Sequence, residues 1–275
     1  MKCECDVCFR GCAPDNGGEG TCRARTGDGG RTVPRNFGMI TSCALDPIEK
    51  KPLSMFMPGS YVLSLGSFGC NLKCPWCQNH EISQTGSFPG ARFISPEAAV
   101  DMALDLKSRG NVGIAYTYNE PLVCWEYVAE TGALAHEKGL VNVLVSNGCV
   151  NPGIAKKVLP FTDAANIDLK VFSEEGYRRI GGDLGSVLKF IEIFAAGGVH
   201  LELTTLIVPG VNDDEDMMER EAEYISSVDR SIPLHVTRFF PRYRMNDRAA
   251  TPVDTVLRMA DIAGKYLDHV FTGNI

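Results

Sequence analysis

The chain has 275 residues, 44% of them hydrophobic, and a formal net charge of −7, enough apolar content for one large α/β core with a small appendage. The acidic balance argues against a nucleic-acid groove, which needs concentrated Lys and Arg to neutralise phosphates, although Arg238, Arg242, Arg244 and Arg248 form a local basic group. No apolar run approaches membrane-spanning length, and Met1-Lys2-Cys3-Glu4-Cys5 lacks the apolar stretch of a signal peptide. The expectation is a cytoplasmic chain without membrane contact, whose eleven cysteines point to metal ligation before disulfides.

In chain order, the first feature is Cys5-x2-Cys8-x3-Cys12-x9-Cys22, with Cys3 as a spare. It offers four soft ligands in a Gly-rich segment of about 25 residues, a length that needs a metal staple to fold. Zinc would make the segment a structural knob, and a second iron-sulfur cluster would make it an electron relay. The first pair has zinc-like spacing while x3 and x9 fit neither template well; zinc is the preferred reading. Cys43, Cys124 and Cys149 stand alone and read as buried small apolar residues.

Strand and helix signals then alternate, the pattern of a parallel sheet wound with helices. Strands are expected at 61–65, 112–117, 141–146, 165–171, 201–208 and 234–239. Ser95-Pro96-Glu97 starts a helix with a cap, a first-turn Pro and an acid. Ala99, Met102, Ala103 and Leu106 give it an apolar face, and Gly110 stops it. Val187, Phe190, Ile191 and Phe194 mark a second helix by the same spacing.

The cluster Gly69-Cys70-Asn71-Leu72-Lys73-Cys74-Pro75-Trp76-Cys77 follows the first strand. Thiolates at x3 and x2 spacing suit three corners of an iron-sulfur cube and leave the fourth iron without a protein ligand. An open iron can be chelated by the amino and carboxylate groups of S-adenosylmethionine (SAM), which then receives an electron. A structural zinc site is normally closed by a fourth ligand, and Cys-x3-Cys-x2-Cys lacks that grammar, although His80 offers a nitrogen. Trp76, aromatic and just before the last Cys, favours the open cluster.

Together with Asp46-Pro47-Ile48-Glu49-Lys50-Lys51-Pro52-Leu53, Cys77-Gln78-Asn79 and Tyr116-Thr117-Tyr118-Asn119-Glu120-Pro121, this motif resembles radical SAM enzymes. The resemblance is to the radical SAM member of the AmmeMemoRadiSam system, a group similar to pyruvate formate-lyase activating enzyme, and it runs to Val270-Phe271-Thr272-Gly273-Asn274. It implies an open six-strand (βα)6 partial TIM barrel over 59–275, preceded by a Cys-rich segment and connector over 1–58. It also implies a 4Fe-4S cluster on Cys70, Cys74 and Cys77, reductive cleavage of SAM to a 5'-deoxyadenosyl radical, and an electron donor such as flavodoxin or ferredoxin. Hydrogen abstraction from a glycyl-radical protein is the leading reaction. Radical modification of a small molecule, peptide or RNA base is the alternative, with an iron-sulfur electron-transfer or metal-binding protein that does not turn over SAM as the third.

The residues expected to handle SAM lie at strand ends, where parallel barrels gather their reactive groups. Trp76 and Asn79 belong to the cluster loop. Tyr118-Asn119-Glu120-Pro121 stands where activating enzymes carry Gly-Gly-Glu-Pro and present backbone oxygens to the SAM amino group; side chains at Tyr118 and Asn119 make close approach less free, and a turn set by Asn and Pro is the plain alternative. Ser146 and Asn147 suit ribose or carboxylate oxygens, or make a simple turn. Asp168 and Lys170 alternate onto one face. The resemblance implies that Lys170 meets the SAM carboxylate and that Asp168 orders the site with a monovalent cation; a structural ion pair is the rival. Thr205 closes the fifth strand, and His235 belongs to the sixth as a cofactor contact or as sheet packing. Phe240 stands where relatives read Phe-His-Pro, able to stack near adenine but not to donate a hydrogen bond.

Overall fold

The computed structural model describes residues 1–275. The Cys-rich stretch leads into a hairpin of β1 (Arg25–Asp28) and β2 (Arg31–Pro34), followed by β3 (Met39–Ile40) and β4 (Ser42–Pro47). The alternating part runs β5 (Tyr61–Gly66), α1 (His80–Ser83), β6 (Arg92–Phe93), α2 (Pro96–Asp105), β7 (Asn111–Tyr116), α3 (Trp125–Glu137), β8 (Val141–Ser146) and α4 (Pro152–Val158). It continues with β9 (Ala164–Asp168), α5 (Glu174–Arg179), α6 (Leu184–Ala196), β10 (His200–Ile207), α7 (Glu215–Asp229), β11 (Leu234–Arg238), α8 (Val253–Ala263) and β12 (Val270–Gly273).

The main sheet is an open partial barrel in the order β4-β5-β7-β8-β9-β10-β11-β12, parallel throughout except that β4 runs antiparallel to β5. The six expected strands are β5, β7, β8, β9, β10 and β11. Two edge strands extend them to eight. β12 is four residues long and gains its ladder only from the neighbouring β11, so it carries no signal of its own. β9 stops at Asp168 rather than running on to 171, and the Lys170 N–H donates to the Tyr177 hydroxyl at 3.1 Å.

Both faces of the sheet are covered, as a parallel sheet requires. On the outside Ile114, Leu144, Ile167 and Leu203 share one core with Phe190, Ile191 and Phe194 of α6. On the inside Ile48 and Leu53, from the connector between β4 and β5, pack on Val62, Ala115, Val143 and Ala164. The connector thus fills the interior. Residues before position 58 are continuous with the barrel: β4 pairs along β5, and Val7 and Ile40 lie in the main core.

The helix starts follow their caps. Ser95 Oγ accepts from the Ala98 N–H at 3.2 Å ahead of Pro96, and Asp183 Oδ2 accepts from the Ser186 N–H at 2.8 Å. After α2 a single 3-10 turn at Lys107–Arg109 leads to Gly110 at φ 85°, the left-handed stop that favours glycine. Cys124 and Cys149 are buried, but Cys43 is exposed, because it sits on an edge strand with one uncovered face. No helix is long and apolar enough to cross a membrane.

Candidate cluster and cofactor site

The loop after β5 carries Cys70, Cys74 and Cys77 as neighbours. Cys74 is buried, and Cys70 and Cys77 are partly exposed. The charges of Cys74 and Cys77 both act on Cys70. Cys70 Sγ receives the Leu72 N–H at 3.4 Å and the Asn147 Nδ2 at 3.7 Å, and Cys77 Sγ lies 3.2 Å from Ser83 Oγ. Burial pushes the Cys70 thiol well up and the Cys74 thiol up to about 12, while Lys170 pulls Cys74 back down. Metal binding replaces such protons. Three thiols with an ammonium beside one of them fit three corners of a 4Fe-4S cluster with one iron left open.

Glu120 fastens this loop to the next strand ends. Its carboxylate is buried and accepts from Leu122 N at 3.0 Å, Ser146 Oγ at 2.8 Å and Asn147 N at 2.8 Å. Burial raises it to about 7 against the lowering by those donors. Asn147 Nδ2 then donates to Asn71 Oδ1 at 3.0 Å, and Asn71 Nδ2 to the Cys149 carbonyl at 2.7 Å. Asn119 completes the clamp: its Oδ1 takes the Ser67 N–H at 3.0 Å and its Nδ2 donates to the Gly69 carbonyl at 3.0 Å.

Tyr118 occupies left-handed backbone at φ 72°, the region that favours glycine. Its carbonyl accepts from Asn79 Nδ2 at 2.8 Å, and its hydroxyl donates to Asp46 Oδ2 at 2.6 Å. Lys51 Nζ reaches the same Asp46 oxygen at 2.8 Å and lies 4.8 Å from the Tyr118 ring centroid. The Lys51 and Tyr118 donors outweigh burial and hold Asp46 well below the ordinary carboxylate range.

At the end of β9, Lys170 Nζ pairs with Asp168 Oδ2 at 3.0 Å. Burial works against the ammonium, but the charges of Asp168 and Cys74 more than offset it and hold it above its ordinary value. A cavity of about 530 Å³ opens beside the buried Trp76, lined also by Val171, Val211 and Met245 and by Arg179 and Arg244.

Trp76, Asn79, Tyr118, Asn119, Glu120, Ser146, Asn147, Asp168 and Lys170 therefore belong to or adjoin the cluster loop. Three expected residues have other surroundings. Thr205 faces the helix layer, where its hydroxyl meets Glu221 of α7 and donates to the Leu169 carbonyl at 3.1 Å. Strand alternation gives the opposite face to Thr204, bonded to Asn166 Oδ1 at 2.9 Å. His235 is committed to Glu202, with Nε2 2.6 Å from Oε2, and stacks on Phe271. Phe240 is 47% exposed beneath the Arg238 guanidinium. Asn71, Asp46 and Lys51 carry site contacts that the sequence reading left without a role. Their only signal is their place inside the two motifs that carry the resemblance.

Residues 65–222 match the family model described as Radical SAM superfamily. An uncharacterized protein of Methanocaldococcus jannaschii is 35% identical over 280 residues, covering 100% of this chain and 82% of that protein. A putative glycyl-radical enzyme activating enzyme of the same organism is 26% identical over 216 residues, covering 74% and 85%. Among solved structures, a domain of pyruvate-formate lyase-activating enzyme from Bacteroides vulgatus superposes with a TM-score of 0.52 at 17% identity, covering 59% of this chain and 99% of that domain.

Proposed function

The chain belongs to the radical SAM superfamily, whose cofactors are a 4Fe-4S cluster and SAM, and from that premise we propose that it activates a glycyl-radical protein by hydrogen abstraction. The observation that supports the site assignment is the Asp168–Lys170 pair beside Cys74, which brings the cluster loop and a paired ammonium together at the carboxyl ends of β5 and β9. When bound, the cluster supplies the single electron that breaks a carbon-sulfur bond of SAM.

Each side chain has a defined task in this reading. Cys70, Cys74 and Cys77 hold three irons. Lys170, kept charged by Asp168, receives the SAM carboxylate. The Tyr118 carbonyl already serves Asn79, and its second lone pair is free to accept from the SAM amino group. Trp76, Val171 and Val211 give the adenine an apolar wall. Glu120, Ser146 and Asn147 act at one remove by fixing Asn71 and the sulfur of Cys70. A flavodoxin or ferredoxin supplies the electron. The glycyl-radical substrate is supported by the names of similar proteins, among them the putative activating enzyme of M. jannaschii.

The experiment is anaerobic turnover with dithionite. Formation of 5'-deoxyadenosine and methionine is expected from the wild type and not from the Cys70→Ala, Cys74→Ala, Cys77→Ala triple variant; equal turnover by that variant overturns the assignment. Mixing with a glycyl-radical protein from the same organism should give a glycyl-radical EPR doublet. SAM cleavage without any such signal would remove the protein substrate and leave the radical chemistry standing.

A further inference from the structure

Cys5, Cys8, Cys12 and Cys22 lie together, and nothing in the handling of SAM uses them. Cys3 packs elsewhere: a side chain at Gly27 would stand 2.9 Å from its sulfur. The Cys5 N–H donates to the Cys12 carbonyl at 2.9 Å and the Gly11 N–H to that of Cys8 at 3.2 Å, which folds this stretch into one turn. Cys12 and Cys22 flank Gly20, where a Cβ would lie in ordinary contact, 4.0 Å from both Cys12 Cβ and Cys22 Sγ.

Zinc and an iron-sulfur cube make different demands on four thiolates. Zinc draws all its sulfurs to about 2.3 Å from one point. A cube gives each thiolate its own iron, so the sulfurs stand apart. Zinc is also redox-inert, so of the two only a cube can pass an electron onward.

Its position adds a function. The Cys22 carbonyl accepts the Cys70 N–H at 3.1 Å, and Arg10 Nε donates to the Asn71 carbonyl at 3.3 Å. Cys5 and Cys12 are partly exposed while Cys8 and Cys22 are buried, so the set runs from solvent towards the loop. We propose that Cys5, Cys8, Cys12 and Cys22 hold a second 4Fe-4S cluster that relays single electrons from an external one-electron donor to the cluster on Cys70, Cys74 and Cys77. The sequence preference for zinc gives way to this contact with the cluster loop and to the run of the set from solvent towards it. In each transfer the outer cluster is oxidised by one electron as the inner one is reduced; no atom or proton moves. The relay rests on the proposed function above, whereas occupancy of the outer site does not.

The test uses the full chain reconstituted anaerobically with iron(II) and sulfide. Iron is expected at about eight per chain in the wild type and about four in each of two variants, one with Cys5, Cys8, Cys12 and Cys22 changed to Ala and one with Cys70, Cys74 and Cys77 changed to Ala. The second variant reads the outer cluster without any SAM chemistry, and it also decides the matter if the first does not fold. About four irons in the wild type, with about one zinc lost in the outer variant, overturns the second cluster. For the relay, reduction of the inner cluster by photoreduced flavodoxin, followed by freeze-quench EPR, should slow in the outer variant while reduction by dithionite does not. Equal rates with flavodoxin overturn the relay.

Discussion

Lys170 is an ammonium whose charge is held against burial. Its burial would favour the neutral amine, yet Asp168 at 3.0 Å and the nearby Cys74 keep it protonated. Asp168→Ala and Lys170→Ala are each expected to weaken SAM binding by roughly tenfold or more, about 1.4 kcal/mol, while iron content stays at the wild-type level. Anaerobic titration calorimetry checks this; unchanged affinity with a large fall in Tm would assign the pair to structure alone. Glu221 is the opposite case, a carboxyl that burial pushes up to about 8 against its bond to Thr205. Because the native state binds that proton more tightly than the unfolded chain, the stability it contributes is fully present below about pH 4.3 and is lost as pH rises through about 8. Glu221→Gln should therefore flatten the decline of Tm between about pH 4.3 and 8, as measured by thermal denaturation across that range.

At the scale of elements, the cluster loop is held from two sides. Asn119 and Glu120, after β7, grip it from within the barrel mouth, and the Cys-rich segment presses on it from outside. Tyr118 adopts left-handed backbone at a cost of about 1–2 kcal/mol, offset by its short hydrogen bond to the Asp46 carboxylate. Gly69, at φ 84°, lies where a Cβ would stand 2.7 Å from both the Cys22 carbonyl and the Ala24 methyl. Gly69→Ala is expected to cost about 1–3 kcal/mol and to lower iron loading of the Cys70 loop. Gly139, at φ 64° with nothing within 4 Å of its added Cβ, is the control. Gly139→Ala should lower Tm without changing iron content, and equal iron loss in both variants would refute the contact argument.

Over the whole molecule, Glu202 ties the barrel to the connector that fills it. Its carboxylate accepts from the Ser54 and Met55 N–H groups at 2.9 and 2.8 Å and meets His200 and His235 at 2.8 and 2.6 Å. Burial opposes the charge, but the two imidazoles and two amides hold the carboxylate down to about 2. That contribution is present above the ordinary glutamate value and is lost as pH falls through about 2. Glu202→Ala strands these partners and is expected to cost about 3 kcal/mol, read as a lower urea midpoint. A midpoint within error of wild type would mean that the apolar packing of Ile48 and Leu53 holds the connector unaided.

Local patterning settles much of this protein. The spacing of Cys70, Cys74 and Cys77, from which the cluster assignment is proposed, depends only on the reach of one loop, and the six central strands follow from apolar runs bounded by turn residues. Caps at Ser95 and before α6 are equally local. What lies beyond the sequence is which groups meet across the barrel. The pairing of Tyr118 with Asp46 spans 72 positions, the Cys22 to Cys70 contact joins two separate motifs, and Glu202 reaches Ser54 across 148. The opposite facing of Thr204 and Thr205 and the commitment of His235 to Glu202 likewise follow from strand register. A residue's type fixes what bonds it can make, but only the packed sheet decides which partner is within hydrogen-bonding distance, because that distance is set by many remote contacts at once.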